Sequence, residues 1–175
     1  MNWIQFGRLI HSIYSHNGKL PDLDWIQSLG LLAVKLGQVH ALRSDFLEPA
    51  KCEHLSKLFR NNHSMGAEDF LQLVESTAVP DFVSNFESIE PKSLASASVG
   101  QVHIGTLKDG NKVVIKAVKK DVRKNFKRDV SSVRSLFKFI SLFYPKLKRV
   151  GNPEAILNDI EEYTLSELDL KKEVE

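Results

Sequence analysis

Hydrophobic positions repeat at helical intervals in the first half of this chain, at strand intervals in a short central stretch, and at helical intervals again toward its end. Trp3, Ile4, Phe6, Leu9, Ile10, Ile13 and Tyr14 recur three and four apart, which predicts an amphipathic helix that either lies on a membrane or docks on its own protein. The helical pattern continues to about residue 86, broken at "NGKLPD" and around Pro49, with Ser64 predicted to cap the helix of "MGAEDFLQLVEST". Between 87 and 120 the period changes to two. Runs at 99–107 and 112–118 flank "KDGN", and Asp-Gly between alternating strands predicts a hairpin because the turn needs φ > 0.

After the hairpin, Val122, Phe126, Val130, Val133, Phe137, Ile140 and Tyr144 predict one long helix over 121–144, closed by Pro145. Asn152 is placed to cap a second helix with Pro153 in its first turn, running through Ile156, Ile160, Thr164 and Leu168 to the chain end. The fold class is therefore α+β, with a helical segment over 1–86 and a mixed segment over 87–175.

Composition narrows the function classes. A net charge of +2 over 175 residues, without an RNA-recognition or zinc-ligand motif, gives no reason to expect a nucleic-acid partner. The single cysteine, Cys52, excludes an internal disulfide, and the six histidines are not paired at ligand spacing with Cys, Asp or Glu, so no metal site is predicted. No run approaches the roughly 20 apolar residues that span a bilayer, and the start lacks the features of a secretory signal.

Candidate chemistry lies on this frame in three places. Lys116 in "VVIK" sits among apolar neighbours, sharing a strand face with Val114 and Val118, where its ammonium either reaches water or meets an anion. In nucleotide-dependent phosphotransferases a strand lysine holds phosphates and pairs with a helix glutamate. The terminal "SELDLKKEVE" offers Glu167, Asp169 and Glu173. Upstream, Lys35 and Gln38 share one face of an otherwise apolar helix, again with two readings: a lysine at the core edge or half of an ion pair. "LASASVGQVHIGTL" at 94–107 resembles a nucleotide-binding hairpin, yet offers Ala95, Ser96, Ala97 and Ser98 where glycines are expected to let a phosphate approach.

"KLGQ" at 35–38, "LASASVGQVHIGTLKDGNKVVIK" at 94–116 and "ELDLKKE" at 167–173 resemble, in order and separation, three signatures of the UbiB family of aarF-domain-containing, atypical protein-kinase-like proteins. The resemblance runs from about residue 25 to the end and includes "RSDFLEP". It implies a helical extension carrying the Lys-x-Gly-Gln motif ahead of a partial kinase-like small lobe, comprising antiparallel strands and helix C. It also implies that the alanine-rich loop of Ala95, Ser96, Ala97, Ser98, Val99, Gly100 and Gln101 replaces the kinase glycine loop, with Ser96 standing where alanine is common.

By the same resemblance Lys116 is the ATP-contacting lysine with Glu173 as partner, Lys35 pairs with Glu167 of the Glu-x-Asp signature, Asp169 helps organise the site, and Gln38 belongs to the nucleotide face. The cofactors implied are ATP and Mg²⁺, the metal ligands being expected in a second lobe. That lobe's catalytic aspartate, asparagine and DFG-type motif do not occur in these residues, so the chain reads as a truncated segment or partial gene product, inactive alone. A complete relative is expected to act as a small-molecule kinase or ATPase in isoprenoid quinone (ubiquinone) biosynthesis, cytoplasmic or peripheral on a membrane. The alternative is a non-catalytic module that binds an isoprenoid lipid, a quinone precursor or quinone-biosynthesis proteins.

Overall fold

A computed structural model describes residues 1–15, 18–60, 64–119, 121–143 and 152–169. The described residues form helices and one small antiparallel sheet, the α+β class predicted. They pack as two compact units: Met1–Leu58 with Arg123–Glu175, and Phe59–Val122.

In the first unit, helix α1 (Trp3–Tyr14) starts in a capping box between Asn2 and Gln5. Phe6, Leu9 and Ile13 are buried against the protein, while Trp3, Ile4 and Tyr14 of the predicted stripe are exposed. At its other end the buried Lys51 ammonium donates to the carbonyls of Ile13 and Ser15, satisfying acceptors that the helix end leaves open. Asp22, from the "NGKLPD" break, caps α2 (Leu23–Ser28) by accepting from the Trp25 N–H at 3.0 Å. Helix α3 (Leu31–Ala41) is buried on most of its circumference, as its near-continuous apolar sequence requires. Pro49 opens α4 (Pro49–Ser56), where its missing N–H costs nothing.

His40, in the last turn of α3, donates from Nδ1 to the Leu36 carbonyl at 2.7 Å and meets the Tyr14 ring edge-on. Burial pushes its imidazole below the ordinary histidine value; the Leu36 hydrogen bond opposes this and Arg43 reinforces it. The unfolded chain therefore binds the proton first, near pH 6.5, and stability falls as pH drops through that value. Urea titrations at pH 7.5 and 5.0 are expected to show a smaller loss on acidification for His40→Gln than for the parent chain. Equal losses would remove His40 from the pH dependence.

Helix α6 (Val122–Phe143) follows the predicted period, burying Phe126, Val130 and Val133; Pro145, predicted to close it, lies outside the described residues. Asn152 caps α7 (Pro153–Glu167) by accepting from the Ala155 N–H, with Pro153 in the first turn as predicted. Arg134 ties the two helices, donating to Asn158 at 2.9 Å and Glu161 at 2.7 Å. One expectation is corrected here: α7 does not run on unbroken to the chain end but stops at Glu167. Leu168 caps it, its N–H turned back to the Thr164 and Ser166 carbonyls.

In the second unit, α5 (Ala67–Thr77) starts from Gly66, not from the predicted Ser64. Glu68 and Asp69 in its first turn complement the helix dipole, while the Ser64 hydroxyl instead meets Met65 O and Ser93 Oγ. The sheet centres on β3 (Gly100–Leu107), flanked by β4 (Lys112–Val118) on one edge and by β1 (Phe86–Ile89) and β2 (Ala95–Ser96) on the other. The predicted hairpin is β3–β4, with Gly110 at φ +85° in the turn. The short β1 and β2 are too brief to carry a period of their own. Phe70, Leu73 and Val74 of α5 close a core with Ile115 and Ala117 of β4.

Candidate functional site

Strand pairing decides which side chains share a face. Ala95 lies opposite Val102 and Val102 opposite Lys116, so these three form one cross-strand row; Ile104 and Val114 form the next. This is the outer face: Lys116 is exposed and Val114 is 63% exposed, while Ile115 and Ala117 point into the core. Of the two readings of Lys116, an ammonium that reaches water or one that meets an anion, the exposed position allows the first without excluding the second. Val114 does share its face, but that face is not the packed one.

The alanine-rich stretch is a tight hairpin. Ala97 N–H donates to Gly100 O at 2.8 Å across Ser98 and Val99, and Leu94 N–H to Val102 O at 2.8 Å. None of residues 95–101 has a positive φ, so the turn imposes no conformational demand for glycine. Buried Val99 also accepts from the Lys119 N–H at 3.0 Å, tying the tip to the end of β4.

Gln101 faces inward and is fully buried. Its Oε1 accepts from the Met65 N–H at 2.8 Å, and its Nε2 donates to Met65 O and to His103 Nε2. His103 donates from Nδ1 to Glu90 O and stacks on Phe70 with ring centroids 3.8 Å apart. The Gln101 amide thus pins β3 to the lead-in of α5. Ser96 lies opposite Gln101 and shares its side of the sheet.

In the other unit the Lys-x-Gly-Gln motif meets Glu-x-Asp. Lys35 Nζ lies 2.5 Å from Glu167 Oε2, and 5.3 Å from the centre of the Tyr163 ring. Gln38 is buried, with Nε2 donating to Leu58 O at 3.0 Å. A Cβ on Gly37 would come within 2.5 Å of Leu58 Cδ1, and Leu58 is fully buried, so glycine lets α3 close on that residue. Each specified residue of the motif therefore has a contact. Asp169 lies just past α7, its N–H donating to Ser166 O. Glu173 lies outside the described residues, so the structure does not describe its predicted pairing with Lys116.

Side-chain exposure of 11% at Lys35 and 30% at Glu167 reduces the energetic stake of that ion pair from the 3–5 kcal/mol of a fully desolvated one. A double-mutant cycle with Lys35→Met and Glu167→Gln is expected to give a coupling of about 1 kcal/mol in urea unfolding. Strictly additive losses would mean the two side chains do not interact.

Sequence reasoning did not place Val102 and Ile104 on the same outer face as Lys116 and Val114. The available signal was alternation combined with strand register, and the register emerges only once the strands are paired.

Residues 57–175, well over half of the chain, match the model of the ABC1 atypical kinase-like domain. The chain is 30% identical over 154 residues to a probable protein kinase UbiB of Haemophilus ducreyi, covering 85% of this chain and 28% of that protein. It is also 30% identical over 177 residues to a probable protein kinase UbiB of Aeromonas salmonicida, covering 95% of this chain and 32% of that protein. It thus spans about a third or less of the length of these relatives. Its helices and small antiparallel sheet are consistent with part of a kinase-like N-terminal lobe.

Proposed function

The chain belongs to the UbiB family of ABC1 atypical kinase-like proteins, and on that basis we propose that it is the ATP-contacting N-terminal portion of an atypical kinase or ATPase supporting isoprenoid quinone biosynthesis. The observation that carries this reading is the cross-strand row of Ala95, Val102 and Lys116 on the outer sheet face. A nucleotide needs an apolar surface for its base and a cation for its phosphates. Val102, Ile104 and Val114 supply the first and Lys116 the second, beside a hairpin whose small side chains admit a phosphate. Glu173 is assigned to hold Lys116, while Lys35 with Glu167 holds α3 against α7.

Mg²⁺, when bound, would neutralise phosphate charge. Among the described residues no three His, Cys, Asp or Glu side chains converge as ligands, so no step here is assigned to the metal. These residues bind and orient.

Displacement of a fluorescent ATP analogue tests the reading. ATP is expected to displace the probe from the 175-residue chain, and Ala97→Gly is expected to change the ratio of ATP to ADP affinity, because added backbone freedom lets the exposed turn settle differently on the phosphates. Failure of ATP to displace the probe would overturn nucleotide binding. An unchanged ratio in Ala97→Gly would remove the hairpin from it.

A further inference from the structure

Just past the alanine-rich hairpin, Gln101 and His103 set a carboxamide and an imidazole side by side on the inner face of β3, at 0% and 1% exposure. Polar groups buried to this degree are stable only when each donor and acceptor has a partner, and a partly satisfied network is costlier than an apolar one. The partners here leave a single arrangement. Gln101 faces both the N–H and the carbonyl of Met65, so its oxygen meets the first at 2.8 Å and its nitrogen the second at 3.2 Å. A flipped amide would set oxygen against oxygen and nitrogen against nitrogen.

The second hydrogen on that nitrogen points at His103 Nε2, 2.8 Å away. Nε2 must therefore be the bare, accepting nitrogen of the ring. The proton stands on Nδ1, where the Glu90 carbonyl accepts it at 2.7 Å. A ring protonated at both nitrogens would oppose two donors across 2.8 Å, so only the neutral Nδ1–H tautomer satisfies the network. Phe70, stacked at 3.8 Å between centroids, holds the imidazole in its plane.

The backbone carries this arrangement to the hairpin. Gln101 pairs with Ser96 on one side and Ala117 on the other, and its neighbour Gly100 accepts from the Ala97 N–H to close the turn. Met65 directly precedes Gly66, from which α5 starts, so the amide is a strut between a helix start and the first residues of β3. We propose that His103 is a positioning residue for the alanine-rich hairpin: its bare Nε2 holds the Gln101 amide in the orientation that grips Met65, and this sets the turn against which a nucleotide phosphate rests. The consequence for a phosphate rests on the nucleotide reading above; the hold on the hairpin does not.

NMR of the imidazole nitrogens in the parent chain is expected to show His103 with Nε2 bare and Nδ1 protonated, a readout that needs no substitution. His103→Phe keeps a ring against Phe70 but removes the acceptor. In it the Ala97 and Leu94 amides, which bond across the hairpin, are expected to exchange on the order of tenfold faster relative to the β3–β4 ladder. Leu73→Ala, which opens the same core without touching the amide, is expected to move hairpin and ladder together. Displacement of the fluorescent analogue by ATP is expected to weaken on the order of tenfold in His103→Phe. Adding His103→Phe to Gln101→Leu is expected to cost nothing further, because the imidazole acts through the amide. A proton on Nε2, hairpin amides that keep step with the ladder in His103→Phe, unchanged ATP affinity in that variant, or additive losses in the double variant would each overturn the proposal. A parent chain that does not bind ATP would overturn the nucleotide reading alone, and the tautomer and the exchange rates would still decide the role of His103.

Discussion

Lys116→Ala, made in the context of a complete kinase-like domain, is expected to lower ATP turnover by about a hundredfold or more while moving stability by no more than about 1 kcal/mol. The activity side follows from charge: a cation aimed at phosphate oxygens stabilises charge that water would otherwise have to solvate. The stability side follows from where the side chain stands. Lys116 is exposed on the outer face of β4, and its neighbours Ile115 and Ala117 fill the core on the other side, so truncation opens no cavity. Steady-state ATPase rates and a thermal melt on the same variant check both halves. Unchanged turnover would sink the assignment of the lysine; lost turnover with an equally lost fold would make its role structural.

Gly100→Ala is expected to be the more damaging substitution to the fold, by about 2–3 kcal/mol, although alanine is abundant beside it. The reason is not backbone conformation. A Cβ on Gly100 would fall 2.6 Å from the Ala117 carbonyl oxygen and 3.5 Å from the Val118 Cα. Backbone atoms cannot rotate away as the end of a side chain can, so β3 and β4 would have to separate where Gly100 pairs with Val118. Gly7→Ala is the matched contrast. It sits inside α1, where an added Cβ would meet nothing within 4 Å, and is expected to stabilise by about 0.5–1 kcal/mol. Urea unfolding of the two variants beside the parent decides it: a Gly100→Ala chain as stable as the parent would mean the strands do not approach as closely as described.

These substitutions also answer the question raised by the scarcity of glycine in "LASASVGQVHIGTL". The hairpin over Ser98 and Val99 requires no left-handed residue, so alanine and serine suffice there. Gly100, beside it, serves strand packing. That distinction was not legible in the string of letters, because a glycine needed for positive φ and one needed for close approach look alike until the opposing chain is in place. The same holds for the glycine of "KLGQ": the family resemblance marked a motif, but only Leu58 explains the missing side chain.

Features within a few residues of one another could be read directly. The Asp-Gly turn between β3 and β4, the Asn152–Pro153 start of α7 and the buried stripe of α6 were legible because turn chemistry, capping and helical period act locally. Ser64 was misplaced as a cap because several polar residues near a helix start compete, and Glu68 and Asp69 supply the favourable charge without it. The end of α7 was misjudged because its apolar period continues through Leu168, whereas the helix itself closes at Glu167.

By itself, then, the sequence determined the α+β class and the hairpin followed by two helices, since each rests on side-chain periods and turn preferences that neighbouring residues impose; the motif residues came from the family resemblance. Tertiary structure decided three further matters. It brought Lys35 to Glu167, a pair that only the family resemblance implied, across 132 residues of chain, and it turned Ile115 rather than Lys116 toward the core. It also buried Phe6, Leu9 and Ile13 of α1 while leaving Trp3 and Ile4 of the same helix exposed. The physical reason is common to all three: burial and pairing are set by what packs from distant parts of the chain, and a local pattern offers two faces without saying which will be covered.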